Sequence, residues 1–197
     1  MRDYLTADDF EGLSGDGLAE ACLACSARFS PMFAAFTTRS DPRDYDDLVR
    51  DLWACAGRKV SAREAEEFER RVRAFPEADC DDSYLLDYYV MRVLELPFET
   101  LHVLAGGGVK RALDCSVAAL GLANEFSEEL DDENELWDAE RQEQLRVIAA
   151  LKAGRYPTFD SCLASPVSRR LVEVLPAIVA TQRAEQDEYL ARIRHQD

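Results

Sequence analysis

The sequence contains very little histidine and lysine. Of its 197 residues, two are histidines (His102 and His195) and three are lysines, so most of its cations are arginines. A di-metal site of the helical-bundle kind needs two Glu-x-x-His motifs and two further carboxylates from other helices. Only Glu99-Thr-Leu-His102 has this spacing. We therefore expect no metal site and no cofactor.

Positive charge is also scarce. Lys and Arg number 23 against 39 Asp and Glu, which gives a formal net charge of −16. Proteins that bind nucleic acids do so with clustered cations that neutralise phosphates, so we expect no binding to nucleic acid. The acids are densest between Glu125 and Glu140. That run is either a surface for a basic partner or a divalent cation, or a set of carboxylates favoured by the start of a helix.

Long apolar stretches are absent. A membrane-spanning helix needs about 20 consecutive, mostly apolar residues. The best candidate, Leu171 to Ala180, is short and contains Glu173 and Pro176. The first nine residues are acidic and lack the apolar segment of a secretory signal. These features predict a cytoplasmic protein that does not associate with membranes.

The six cysteines are widely spaced, which is unlike the disulfide framework of a small secreted domain and favours reduced thiols. Cys22-Leu-Ala-Cys25 has the spacing of a redox or metal motif. The pair falls in an alanine-rich stretch with helical periodicity, where residues i and i+3 share one face. Packing in the core is the favoured interpretation, and redox or metal chemistry is the alternative.

The pattern of apolar residues is helical almost throughout. Nowhere do four or more residues alternate apolar and polar between turn signals, as a half-buried strand would. Residues spaced i, i+3, i+4 and i+7 instead form helical stripes, such as Leu171, Val174, Leu175 and Ile178. We predict an all-α fold, a bundle of seven to eight helices with Pro-kinked members, in a single domain that covers residues 1–197.

Prolines and capping residues divide these helices. Pro31 should kink a helix from about Leu18 to Thr37, and Pro97 should kink or break a later one near Leu96. Ser61-Ala-Arg-Glu64 has the pattern of a capping box. The remaining predicted features are a helix at Ala7–Leu13, one opening at Ser40 or Asp41 with Pro42, one opening at Asp81–Ser83, a turn at Gly106–Gly108, and helices at Val109–Phe126, Asn134–Ala153 and from Ser165.

Several segments, taken in order, resemble the DUF416 (YjaG-like) family of uncharacterised bacterial proteins. The segments are Arg28-Phe-Ser-Pro31-Met-Phe33-Ala-Ala-Phe36, Leu48-Val-Arg-Asp-Leu52-Trp53, Phe75-Pro-Glu-Ala-Asp79-Cys-Asp81-Asp-Ser83-Tyr84, Ser116-Val-Ala-Ala-Leu120 and Asn134-Glu-Leu-Trp137-Asp138. The resemblance covers about residues 18–151, and residues 152–197 form an extra C-terminal helical segment. It implies an all-helical cytosolic domain and implies no activity.

The best-matched residues supply the binding candidates: Arg28, Asp79, Asp81, Trp137 and Asp138. Our hypothesis is that Arg28 pairs with one of the three aspartates and so ties separate connections between helices together. Such a pair would be structural first and a binding site second.

Two functions compete. The first is a non-catalytic interaction or regulatory module whose acidic surface binds a basic protein. The second is an enzyme with a pocket lined by carboxylates and histidine, for which Glu99 and His102 are the weak catalytic candidates. The C-terminal segment, Ser165 to Asp197, loses its apolar stripe after Ile178 and is a candidate for packing against a second copy of the chain.

Overall fold

The helical periodicity of the sequence is realised in the computed structural model, which describes residues 4–130 and 135–194. Within these ranges the fold is all-α, with no strand. Its elements are a 3₁₀ turn at Ala7–Phe10 and helices α1 (Gly15–Arg28), α2 (Ser30–Phe36), α3 (Pro42–Trp53), α4 (Ala62–Arg73), α5 (Leu86–His102), α6 (Gly108–Leu130), α7 (Glu135–Lys152), α8 (Phe159–Leu163) and α9 (Pro166–Arg194). The predicted helix start at Asn134 lies outside the described residues, and α8 was not predicted.

Helix α1 lies at the centre of the bundle. It packs against α3, α5, α6, α7 and α8, and almost every residue from Gly17 to Arg28 is buried. A helix that is apolar on all sides belongs in a core, and the small Ala, Cys and Ser side chains of α1 let its neighbours approach closely. One continuous core surrounds it and includes residues from Leu5 to Ile178.

The prolines act differently at the two predicted positions. Near Pro31 the predicted single helix is divided into two. Helix α1 ends at Arg28, and Pro31 lies in the first turn of α2, where its missing N–H needs no partner. At Pro97 the helix α5 continues without interruption. The tertiary packing of α5 against α1 and α6 therefore outweighs the local preference of proline for a helix end.

Two of the predicted helix starts are capped as expected, whereas the start predicted at Asp81–Ser83 is displaced: α5 begins at Leu86 and has no side-chain cap of its own. Asp41 accepts a hydrogen bond from the backbone N–H of Arg43 at 2.9 Å, with Pro42 as the first helical residue. Ser61 and Glu64 form the reciprocal capping box of α4. Where a turn was predicted between α5 and α6, the segment Val103–Gly107 forms a single π-helical turn, in which Gly106, with φ of +103°, adopts a conformation that strongly favours glycine.

Helix α9 closes one side of the bundle, packing mainly on α2 and α7. Its buried stripe runs through Leu171, Val174, Leu175 and Ile178 and continues as Gln182. None of the described helices combines the length and the apolar character that crossing a membrane requires.

Candidate functional site

Arg28 is fully buried at the end of α1 and pairs with Glu140 of α7. Its Nε lies 2.9 Å from Glu140 Oε2, and its Nη2 lies 2.6 Å from Oε1. The same Nη2 lies 3.2 Å from Cys25 Sγ. Burial disfavours the charged guanidinium, but the facing carboxylate outweighs this and raises the pKa of Arg28 above its usual value. Arg28 and Glu140 therefore form a bidentate ion pair inside the core.

The predicted partners of Arg28 are therefore wrong. Asp79, Asp81 and Asp138 are all exposed to solvent. Glu140 lies two residues beyond Asp138, on the opposite side of α7. It falls in register with the buried Trp137, Gln144 and Val147, spaced i, i+3, i+7 and i+10. That stripe was visible in the sequence and would have identified Glu140 as an inward-facing acid.

A chain of polar side chains extends from this pair. Gln144 donates a hydrogen bond to Glu140 at 2.9 Å and accepts one from Ser116 at 2.6 Å. Beside it lies a cavity of about 10 Å³, lined by residues that include Cys22, Cys25, Ser116 and Gln144. This space admits no more than about one water molecule, so the network holds α1, α6 and α7 together and leaves no room for a substrate.

The cysteine pair lies in this same core. Cys22 and Cys25 are free and buried. A hydrogen bond with the Cys115 thiol, together with burial, raises the pKa of Cys25 well above its usual range. A thiol with a raised pKa is a weak nucleophile, which favours the packing role. In the described part of the chain, no group of three or more His, Cys, Asp or Glu residues could hold a metal ion.

Trp137 is also a core residue. Only 4% of its surface is exposed, and its ring makes an edge-on contact with Tyr4 at a centroid distance of 6.0 Å. Its backbone N–H donates to Ser127 Oγ at 3.3 Å. Trp137 thus joins the N-terminal segment to α6 and α7.

The acidic connection between α4 and α5 is fixed by a residue that we did not single out. Glu77 is fully buried and accepts hydrogen bonds from Thr37 Oγ1 at 2.8 Å and Ser40 Oγ at 2.6 Å. It ties this connection to the one between α2 and α3. A side chain that ties two connections between helices together is therefore present, but it is Glu77 and not Asp79 or Asp81.

Glu99 and His102 lie on the same side of α5, but their side chains contact different residues. Glu99 pairs with Arg111 at 3.3 Å. The Nδ1 atom of His102 is 2.9 Å from the carbonyl oxygen of Phe98, and its ring packs edge-on against the Phe98 ring. Both side chains are engaged in local contacts that hold the end of α5.

An acidic groove lies between α3 and the end of α4. We call it the α3 groove; it has a volume of about 670 Å³. Its acids are Asp41, Asp44, Asp47 and Asp51, its cations are Arg39 and Arg71, and its remaining lining is Ser40, Leu48, Ala74, Phe75 and Pro76. The spacing of the aspartates on one helix face was a signal in the sequence that we did not use.

Comparison with known proteins gives no relative from which a role for these residues could be inferred. No family model, curated protein or solved structure matches the chain. Membership of the DUF416 family stays a prediction.

Proposed function

We propose that this protein is a non-catalytic interaction or regulatory module that binds a basic partner protein in the α3 groove. The observation that carries the proposal is the row of exposed aspartates along the groove. Asp44, Asp47 and Asp51 follow the spacing i, i+3, i+7 and cover roughly 10 Å of helix. In keeping with the DUF416 resemblance, we place the module in the cytoplasm.

The charges in the groove are only partly compensated. Asp51 pairs with Arg71 at 2.9 Å, whereas the carboxylates of Asp44 and Asp47 have no ion pair or hydrogen bond among the described residues. Below them, Leu48, Phe75 and Pro76 supply an apolar floor. Carboxylates above an apolar floor suit arginine and lysine side chains, which have aliphatic stems and charged ends.

The charge of the whole molecule supports the same partner. A net charge of −16 attracts a basic protein over long distances and speeds its association at low ionic strength. The enzyme alternative has less support, because the contacts of Glu99 and His102 are local and the α3 groove includes neither residue.

A pull-down from the native cell, analysed by mass spectrometry, tests the proposal. We expect the wild-type protein to enrich a basic protein that is released as salt is raised, because exposed charge pairs are screened. The Asp44→Asn/Asp47→Asn variant should lose that protein. The captured partner, once purified, should bind the wild type at least tenfold more tightly than the variant in a titration.

The matched control is Asp187→Asn/Glu188→Gln, which removes two exposed charges from α9 instead. If the control and the groove variant lose the partner equally, net charge and not the α3 groove recognises it, and the proposal is wrong. An enriched set that is the same for all three proteins also contradicts it.

A further inference from the structure

A second pocket is lined by charges of positive sign only. It lies between the end of α7 and α8, has a volume of about 460 Å³ and is lined by Arg146, Val147, Ala150, Arg155, Tyr156, Pro157 and Ser161. We call it the Arg155 pocket. Its lining contains two arginines and no carboxylate, although acids outnumber bases 39 to 23 in the chain.

The backbone around Arg155 is fixed by the end of α7. Gly154 has φ of +70°, and the N–H of Arg155 donates to the carbonyl of Ala150 at 2.9 Å. This is the hydrogen-bond pattern of a Schellman cap. The Arg155 side chain is exposed and makes no hydrogen bond or ion pair within residues 4–130 and 135–194. Its guanidinium group is therefore available to a ligand in the pocket, which Arg155 lines.

Arg146 is presented to the pocket in a fixed orientation. Its Nε and Nη2 atoms donate to the two oxygens of Glu143 at 2.8 and 2.5 Å, and the Glu143 side chain is only 6% exposed. Burial raises the pKa of the Glu143 carboxyl, but the hydrogen bonds from Arg146 and the positive charge of Arg28 outweigh this and lower the pKa below its usual value. One edge of the Arg146 guanidinium is thus occupied, while Nη1 remains open.

The rest of the pocket is apolar or aromatic. Val147, Ala150 and Pro157 line it, and Tyr156 is 64% exposed. Such an exposed ring, next to two cations, offers a stacking surface for a planar group. The Ser161 hydroxyl is already engaged with Thr158, so we assign it no role in binding.

We propose that the Arg155 pocket binds a small phosphomonoester that carries a planar ring, the chemistry of a nucleoside monophosphate. Two guanidinium groups from separate segments suit a phosphate, which has three terminal oxygens, better than a carboxylate, which has two. The phosphate would lie between Arg146 and Arg155, and the ring would lie on Tyr156. This site is separate from the α3 groove, and either proposal can fail without the other.

Isothermal titration with adenosine monophosphate, inorganic phosphate and adenosine, at constant ionic strength, tests the assignment. Adenosine monophosphate should bind the wild type at least tenfold more tightly than either fragment. Arg155→Gln should weaken its binding at least tenfold, and Tyr156→Ala should weaken it while leaving the affinity for inorganic phosphate unchanged.

Two further variants separate binding from structure. Arg155→Lys keeps a cation at the C-terminal end of α7, which the helix dipole favours, but removes the planar fork; it should melt like the wild type and still bind several-fold more weakly. Arg63→Gln removes an exposed arginine of α4 that has no ion pair among the described residues, and it should leave binding unchanged. Absence of measurable binding by the wild type at millimolar adenosine monophosphate overturns the proposal. Equal binding by Arg155→Gln, or inorganic phosphate binding as tightly as the nucleotide, does so as well.

Discussion

Arg28 is the largest of the fully buried side chains among the described residues, and it is the one that carries a positive charge. A charge inside a protein is tolerated when a partner and hydrogen bonds compensate its desolvation. Glu140 supplies the opposite charge, and Gln144 holds Glu140 in turn. One donor, Arg28 Nη1, has no hydrogen-bond partner among the described residues, so the compensation is already incomplete.

Removing Glu140 should therefore be severely destabilising. We expect Glu140→Leu to lower the free energy of unfolding by about 3–5 kcal/mol, the usual cost of leaving one member of a buried pair without the other. The double variant Arg28→Met/Glu140→Leu should recover part of that loss, because no uncompensated charge remains. Urea unfolding measures both.

Arg183→Met is the control for this experiment, since the Arg183 side chain is exposed and has no ion pair or hydrogen bond among the described residues; it should leave stability unchanged. If Glu140→Leu behaves like this control, or if the double variant is as unstable as the single one, the pair does not hold the core.

The helices themselves follow from local features of the sequence, whereas the partners of their side chains do not. The caps at Asp41 and Ser61 and the periodic stripe of α9 depend on residues within a few positions of one another, and each was predicted. The pairing of Arg28 with Glu140 joins residues 112 apart, and only the packing of α1 against α7 brings them together. Helix α8, only five residues long, has too few residues to show a period.

Helix α9 illustrates how an element continues to pack after its apolar stripe ends. Gln182 donates to Glu129 at 2.9 Å, and Gln186 accepts the backbone N–H of Leu86 at 2.7 Å. Tyr189 donates to Asp82 at 2.9 Å and stacks on Tyr84. The predicted role of this segment in dimerisation stays untested, but its face as far as Tyr189 is used within the chain.

Gln186 acts as a cap for α5 from a distant part of the sequence. Helix α5 has no side-chain cap of its own at Leu85, so Gln186→Ala should leave the N–H of Leu86 without its acceptor. We expect a loss of about 1 kcal/mol in the free energy of unfolding, and faster hydrogen exchange at Leu86.

Gln142→Ala is the matched control, because Gln142 is exposed in α7 and the two substitutions change helix propensity equally. Exchange at Leu86 that is as slow in Gln186→Ala as in Gln142→Ala would show that the cap contributes nothing.

At the scale of the whole molecule, two sets of carboxyls make stability depend on pH in opposite ways. Burial first, and neighbouring acids second, raise the pKa of the Glu20, Glu95 and Glu125 carboxyls, although Arg92 partly opposes this for the last two. Protonating a group whose pKa is raised by folding stabilises the native state, so this contribution is present at low pH and is lost as the pH rises through the raised values.

A second set of carboxyls acts in the other direction. Hydrogen bonds from Arg58 and Ser61 lower the pKa of Glu64 to about 2, and a hydrogen bond from Arg43 lowers that of Asp41. Their stabilisation is present above the ordinary carboxyl pKa of about 4 and is lost as the pH falls through the lowered values.

As the pH is lowered from 8, the free energy of unfolding should therefore rise while the pH falls through the raised pKa values of the first set, and it should decrease below about 4. Repulsion among the acids weakens over the first interval and adds to the rise. In urea unfolding measured across this range, Glu95→Gln/Glu125→Gln should be more stable than the wild type at pH 8 and should show a smaller rise.

A wild-type stability that falls steadily from pH 8 to pH 5 would mean that these buried carboxyls do not resist ionisation. A variant that rises as steeply as the wild type would mean that repulsion over the whole surface, and not burial at these two positions, sets the pH dependence.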